Sequence, residues 1–272
     1  MKQPPEHQSR TPLMAQLTTA CAITLAIIGS AIGSGALGGT PIQDASDGYL
    51  SADATLLAPA GPAFAIWTLI YLGLAVFAIY QFIPAGAHSA TLRTLRTPAS
   101  ASALLNALWI FTAQRGWLGL SVLVIFTLLA SLIWLLMLLR EHGSTTRTER
   151  WILWVTFGTY LGWVCVASVA NTAAWISSLG VAEHTTMTAT TAVILLIAAA
   201  GLGLALSIYS KGQLSPAAAI SWGLAWIGIS RLTGPNQSTL VGTWALITAG
   251  LLLAAALAVT VYHRKTRSTS WR

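Results

Sequence analysis

Three clusters of aromatic and amide residues are the part of this chain whose types and spacing could do chemistry. Trp67 and Tyr71 are four residues apart, and Asn106 stands three before Trp109. Trp163, Ala167, Asn171 and Trp175 recur every fourth residue. On a helix each of these spacings puts its set on one face. The chemistry on offer is recognition. Indole rings give flat apolar surface and uncharged amides give a few hydrogen-bonding points, a combination that suits a flat hydrophobic small molecule. The amides have a second reading, as interhelical hydrogen bonds that tie helices together. The Trp residues also have one, as plain packing between helices.

Reaction chemistry has no comparable support. The sequence holds no P-loop, no H-E-x-x-H and no Gly-rich dinucleotide turn after a strand. It shows no nucleophile–base pair and no cluster of His with carboxylates. No catalytic residue, no metal site and no resident cofactor are therefore expected. Cys21 and Cys165 lie in different apolar stretches and read as two buried thiols that act as small apolar residues.

The elements that must position these residues follow from composition. The chain has 272 residues, of which 55% are hydrophobic and 8% charged, against about 25% charged in a soluble domain. Its apolar runs are about 16 to 29 residues long, and roughly 20 helical residues cross the hydrocarbon core. The expected class is all-α, a polytopic transmembrane bundle. Its eight spans are Met14–Leu37, Pro62–Phe82, Pro98–Ala113, Trp117–Leu139, Trp151–Leu179, Met187–Tyr209, Ser215–Ser230 and Leu240–Tyr262. The first is longer than the core of a signal peptide and is read as retained. Its Gly29, Gly33, Ser30 and Ser34 let helices approach closely, and could also pair two copies into a homodimer. As drawn, no span has an ionisable residue in its interior, which lowers the case for a proton- or sodium-coupled pump.

The net charge of +7 is spread over span ends, so it signals topology and not a nucleic-acid partner. Lys2, Arg10, Arg93, Arg96, Arg140, Arg147, Arg150, Lys211, Arg264, Lys265, Arg267 and Arg272 fall on one side. Only Arg115 and Arg231 fall on the other. Both termini are thereby assigned to the cytoplasmic side of a cell membrane. Trp67, Asn106, Trp109, Asn171 and, near the middle, Trp163 then share the outer half of the bilayer. Trp117, Trp151, Trp154, Trp175 and Trp244, near span ends, read as an interfacial belt.

These residues carry a resemblance. Span two has F-x-I-W-T-x-I-Y from Phe64 to Tyr71, and span three has N-x-x-W at Asn106 and Trp109. Span five has Y-L-x-W-V-x-x-A-x-x-x-N-x-x-x-W from Tyr160 to Trp175. In that order they resemble the translocator-protein or tryptophan-rich sensory protein family (TspO/MBR). The resemblance covers about residues 14–180 and implies a five-helix bundle that binds porphyrins, haem, sterol-like or synthetic apolar ligands. Carried over by position, it implicates Trp67, Asn106, Trp109, Trp163, Ala167 and Asn171, and Tyr71 shares the Trp67 face. It also implies that the loop at 38–61 closes the pocket. That loop holds no Trp, and Thr159 stands where the family has a proline before the Tyr of helix five. Residues 187–263 have no counterpart in five-helix members and look like a three-helix extension of a longer branch.

The function this implies is binding of a flat hydrophobic molecule, a tetrapyrrole or sterol-like ligand, with a sensing role. The alternative is a uniporter or exchanger for a small metabolite that uses all eight spans, although the two halves show no convincing inverted repeat.

Overall fold

The computed structural model describes residues 11–34, 40–144, 146–181 and 185–269. Lys2, Arg10, Glu183, His184 and Arg272 lie outside them. The described residues are helical with no strand. Helix α1 is Thr11–Gly33 and α2 is Ile66–Tyr80, entered through a 3-10 turn at Gly61–Ala65. Helix α3 is Ala90–Gln114 and α4 is Leu118–His142. Helix α5 runs over Arg147–Ser178. Helix α6 is Thr186–Tyr209, α7 is Ser215–Thr233 and α8 is Thr239–Thr269.

Six of these helices (α1, α2, α4, α5, α6 and α8) are long and apolar enough to cross a membrane. Helices α3 and α7 fall short, and polarity is the reason. At 1.5 Å per residue they are about 37 and 28 Å long, enough for a crossing. They carry Arg93, Arg96 and Arg231 together with several Ser and Thr. Each buries an arginine and some of its polar residues against neighbours. Helix α3 packs on α1 and α4, and α7 packs on α5, α6 and α8. A helix shielded by its neighbours need not be apolar on every face.

The third span does not begin at Pro98. Ser89 caps α3, its hydroxyl accepting the Leu92 N–H at 3.1 Å, and the helix continues through Pro98 to Gln114. Proline is tolerated inside spanning helices when neighbours supply the lost bonds. Here it lies on the buried face with Leu95, Ala99 and Ser102. The longer helices also take in charges that lie just outside the spans as drawn. Arg96, Glu149 and Arg231 are all buried, each within two turns of a helix end. Arg96 Nε donates to Gln81 Oε1 at 3.0 Å, and Gln16 Nε2 donates to the Gln81 carbonyl at 2.7 Å. A polar knot thereby closes one end of α1, α2 and α3.

Two smaller readings change. Cys21 is exposed on α1, and only Cys165 is buried. Trp154 is buried and does not sit in an interfacial belt, whereas Trp117, Trp151, Trp175 and Trp244 are exposed. Trp154 opens a π-helical turn, Trp154–Gly158, inside α5. The turn is propped by α7, since Ser215 Oγ donates to the Trp154 carbonyl at 2.5 Å.

The α5–α7 contact is close because glycine lines it. A Cβ on Gly162 would overlap the Pro216 carbonyl oxygen, and one on Gly158 would overlap Ser215 Oγ. From the other side, a Cβ on Gly223 would come within 2.8 Å of Val166. This crossing matters to the site, because α7 also reaches the long segment between α1 and α2.

Candidate functional site

Trp67 is the centre of the aromatic cluster. It stacks on Tyr71 one turn along α2, with ring centroids 5.5 Å apart, and on Trp109 of α3 at 6.2 Å. Two rings of α5 meet it edge-on, Tyr160 at 5.8 Å and Trp163 at 6.3 Å. Phe64 stands edge-on to Trp163 at 5.7 Å. Such pairs stabilise by about 0.5–1.5 kcal/mol each beyond their buried area. The sequence motifs on α2, α3 and α5 thus meet at one place.

The amides are structural ties. Asn106 Nδ2 donates to Tyr71 Oη at 3.0 Å and to Ser30 Oγ at 3.2 Å, joining α3 to α2 and α1. Trp109 Nε1 donates to Asn171 Oδ1 at 3.2 Å. Asn171 Nδ2 donates to Ser121 Oγ at 3.0 Å, which brings in α4. Tyr160 Oη donates to the Ser102 carbonyl at 3.0 Å. Tyr160, Ser30, Ser102 and Ser121 complete the cluster but were not read as site residues from the sequence. Tyr160 had a signal in its motif; a lone serine in an apolar run has none.

A narrow cavity lies beside this cluster. Its walls include Trp109, Trp163, Ala167 and Asn171, and its roof is Ile42, Tyr49, Leu50, Thr55, Ala58 and Pro59 of the segment before α2. That segment is the cap, and it covers the cavity without any Trp. Trp67, Tyr71 and Asn106 do not line the cavity; Trp67 packs against Trp109 and Trp163, which do, and Tyr71 and Asn106 stand behind Trp67. About 30 Å³ is open to the centre of a water-sized sphere, room for roughly two waters. Two buried polar atoms on its lining residues have no hydrogen-bond partner, the indole N–H of Trp163 and the hydroxyl of Thr55. Nearly all buried polar groups find a partner, so this pair marks a place where a ligand atom or water would be accepted. Among the described residues no group of three or more His, Cys, Asp or Glu could hold a metal ion.

The cap is fastened at both ends. Near its start, Ser46 Oγ donates to the Ala113 carbonyl at 2.6 Å and Gln114 Nε2 donates to the Thr40 carbonyl at 2.9 Å. Near its end, α7 takes hold. Arg231, wholly buried, donates from Nη2 to the Ala52 carbonyl and from Nη1 to the Asn236 carbonyl at 2.6 Å. Ser230 Oγ adds a bond to Ala52 at 3.0 Å, and Asn236 Nδ2 donates to the Asp53 carbonyl at 2.9 Å. Trp222 Nε1 donates to the Ala63 carbonyl at 2.9 Å, and the Ala60 N–H donates to the Trp226 carbonyl at 3.2 Å. The Asp53 carboxyl is held below its ordinary range, first by the Ser51 hydroxyl and its own backbone N–H, then by Arg231.

No curated protein matches the chain, and no solved structure does. The sequence model of one family, described as TSPO-like protein, matches residues 16–258, from the first turns of α1 well into α8. With six helices long and apolar enough to cross a membrane, and the motifs of α2, α3 and α5 gathered at one buried cluster, the chain is a multi-pass membrane protein of the TSPO-like family.

Proposed function

We propose that the protein binds a flat hydrophobic molecule, of tetrapyrrole or sterol-like size, in the capped aromatic cavity, and that it binds without turning the ligand over. The observation that carries this reading is the cavity itself: indole walls, an apolar roof and two polar atoms left unpartnered. Trp109, Trp163, Ala167 and Asn171 are the contact residues in this reading, with Trp67, Tyr71 and Asn106 behind them. All eight long helices cross the bilayer, both termini are cytoplasmic by the charge count, and the cap faces outward. Residues 14–180 form the binding unit and residues 187–263 support it.

Magnitude adds one requirement. Pockets for drug-sized ligands are typically about 300–1,000 Å³, and this cavity is an order of magnitude tighter. Binding therefore needs the cap or the Trp163 ring to move, and the described arrangement is the closed form. The test is a thermal-shift screen of purified protein against protoporphyrin, haem and a sterol. A molecule that binds only the folded state raises its midpoint by mass action. A rise with at least one of them supports the reading, and no rise with any of them removes it.

A further inference from the structure

At the end of the bundle where α3 turns into α4 lies a second, more open pocket. About 350 Å³ of it is open to the centre of a water-sized sphere. Tyr49 of the cap lines both this pocket and the aromatic cavity, so the two share a wall. Three aromatic residues line the pocket, Tyr49, Trp117 and Trp175, and all three are exposed. Its one charged lining residue is Asp47, also exposed, and none of its lining residues is basic. Arg115 does not line it; that guanidinium stacks over Phe111, 4.9 Å from the ring centroid.

These side chains are held in place. Trp117 stands edge-on to Phe111, with centroids 6.0 Å apart. A Cβ on Gly119 would come within 3.2 Å of Trp175 Nε1, so the glycine lets that indole lie against the start of α4. Asp47 sits in a strained turn. Ser46 and Asp47 both have φ of 55°, a left-handed conformation that Asp enters occasionally and as a single residue. The Ser46 Oγ bond to the Ala113 carbonyl, at 2.6 Å, fastens the turn to the end of α3. Strain of this kind persists only where the surroundings hold it; here it sets a carboxylate on the same pocket as three aromatic rings.

That combination suits an organic ammonium. Aromatic rings attract a cation through their negative faces, and a weakly hydrated quaternary ammonium is the best fit. The carboxylate supplies the counter-charge and repels an anion. A calcium ion would ask for about six or more oxygen ligands, and one carboxylate side chain is on offer here. The pocket also opens onto apolar surface. Leu120 on its lining, Leu123 one turn along α4 and Ile176 beside Trp175 are all exposed. In a multi-pass membrane protein such surface meets the hydrocarbon, so the cation that fits is one attached to an acyl chain. We propose that this pocket binds the ammonium headgroup of a bilayer phospholipid, with Tyr49, Trp117 and Trp175 around the cation and Asp47 as its counter-charge. The site is separate from the aromatic cavity and does not depend on what the cavity binds.

The experiment holds the full-length protein in a maltoside detergent, which carries no ammonium group. It is titrated by calorimetry with dihexanoyl-phosphatidylcholine and with dihexanoyl-phosphatidylglycerol. The expected result is saturable binding of the choline lipid, tighter than the glycerol lipid by about fivefold or more. Asp47→Asn should remove that preference while leaving the thermal midpoint unchanged, because Asn also tolerates the left-handed turn. Trp117→Leu should weaken the choline lipid by about fivefold, and this arm stands even if Asp47→Asn loosens the turn. Tetramethylammonium chloride should displace the choline lipid where the same concentration of sodium chloride does not. Equal affinity for the two lipids, an unchanged preference in Asp47→Asn, or equal displacement by the two salts would each overturn the proposal. Tetramethylammonium that binds as tightly as the choline lipid would make the occupant a free solute, and the lipid assignment would fail.

Discussion

Trp163 combines two properties that usually exclude each other: a ring packed against Trp67 and Phe64, and a buried N–H with no acceptor. Trp163→Phe keeps the ring contacts and removes the donor. We expect its thermal midpoint in detergent to match or slightly exceed wild type, while protoporphyrin affinity falls by about fivefold, the equivalent of one hydrogen bond near 1 kcal/mol. Unchanged affinity would assign the N–H no role. Asn171→Ala should behave in the opposite order. It strands the Trp109 N–H, while Ser121 keeps its bond to the Leu118 carbonyl, and leaving a buried group unpaired costs about 1–3 kcal/mol, readable as a lower midpoint with no ligand present. The spacing of Trp163, Ala167 and Asn171 was legible in the sequence because helical period alone decides which residues share a face. Their partners were not. Whether Asn171 meets Ser121 or a ligand depends on how α4 is rotated against α5, and no local pattern encodes that rotation.

Helix α7 is the element whose role the sequence concealed. Trp222 and Trp226 are four residues apart and so share a helix face, yet no pattern in the sequence tells that the face meets the cap. The seventh span as drawn from the sequence ends at Ser230, which leaves Arg231 outside it; in the structure the helix carries Arg231 inward to the Ala52 carbonyl. Arg231→Gln keeps a polar side chain but loses the charged fork. Hydrogen exchange should then quicken at the amides of 51–60, by about tenfold or more if the change removes more than 1.4 kcal/mol, and stay unaltered in α4. Uniform quickening across the chain would mean general destabilisation and not a freed cap. Gly162→Ala probes the same helix from its other side. Its Cβ would meet the Pro216 carbonyl, and overpacking of this kind costs about 1–3 kcal/mol. A midpoint equal to wild type would show that the α5–α7 crossing has slack. The start of α3 was missed for a related reason: a proline was taken as a boundary, but helices packed by neighbours pass through one.

At the scale of the molecule, hydrophobic run length was enough to find the helices, and the order of three motifs was enough to find the family. The outline was legible because lipid imposes it on each span separately. What joins the spans was not, because α5, α7 and the cap are far apart in sequence and meet only on folding. One consequence concerns the extension. A chain ended after Gly180 loses the Arg231, Ser230 and Trp222 bonds to the cap, and we expect it to bind protoporphyrin more weakly and exchange its cap amides faster than the full chain. Equal affinity would make residues 187–263 dispensable to the site. The central claim, that the aromatic cavity holds a flat hydrophobic ligand, is tested most directly by titrating purified full-length protein with protoporphyrin while recording Trp emission. The expected result is saturable quenching that weakens in Trp163→Ala. Quenching that never saturates, or that is the same in Trp163→Ala as in wild type, would contradict it.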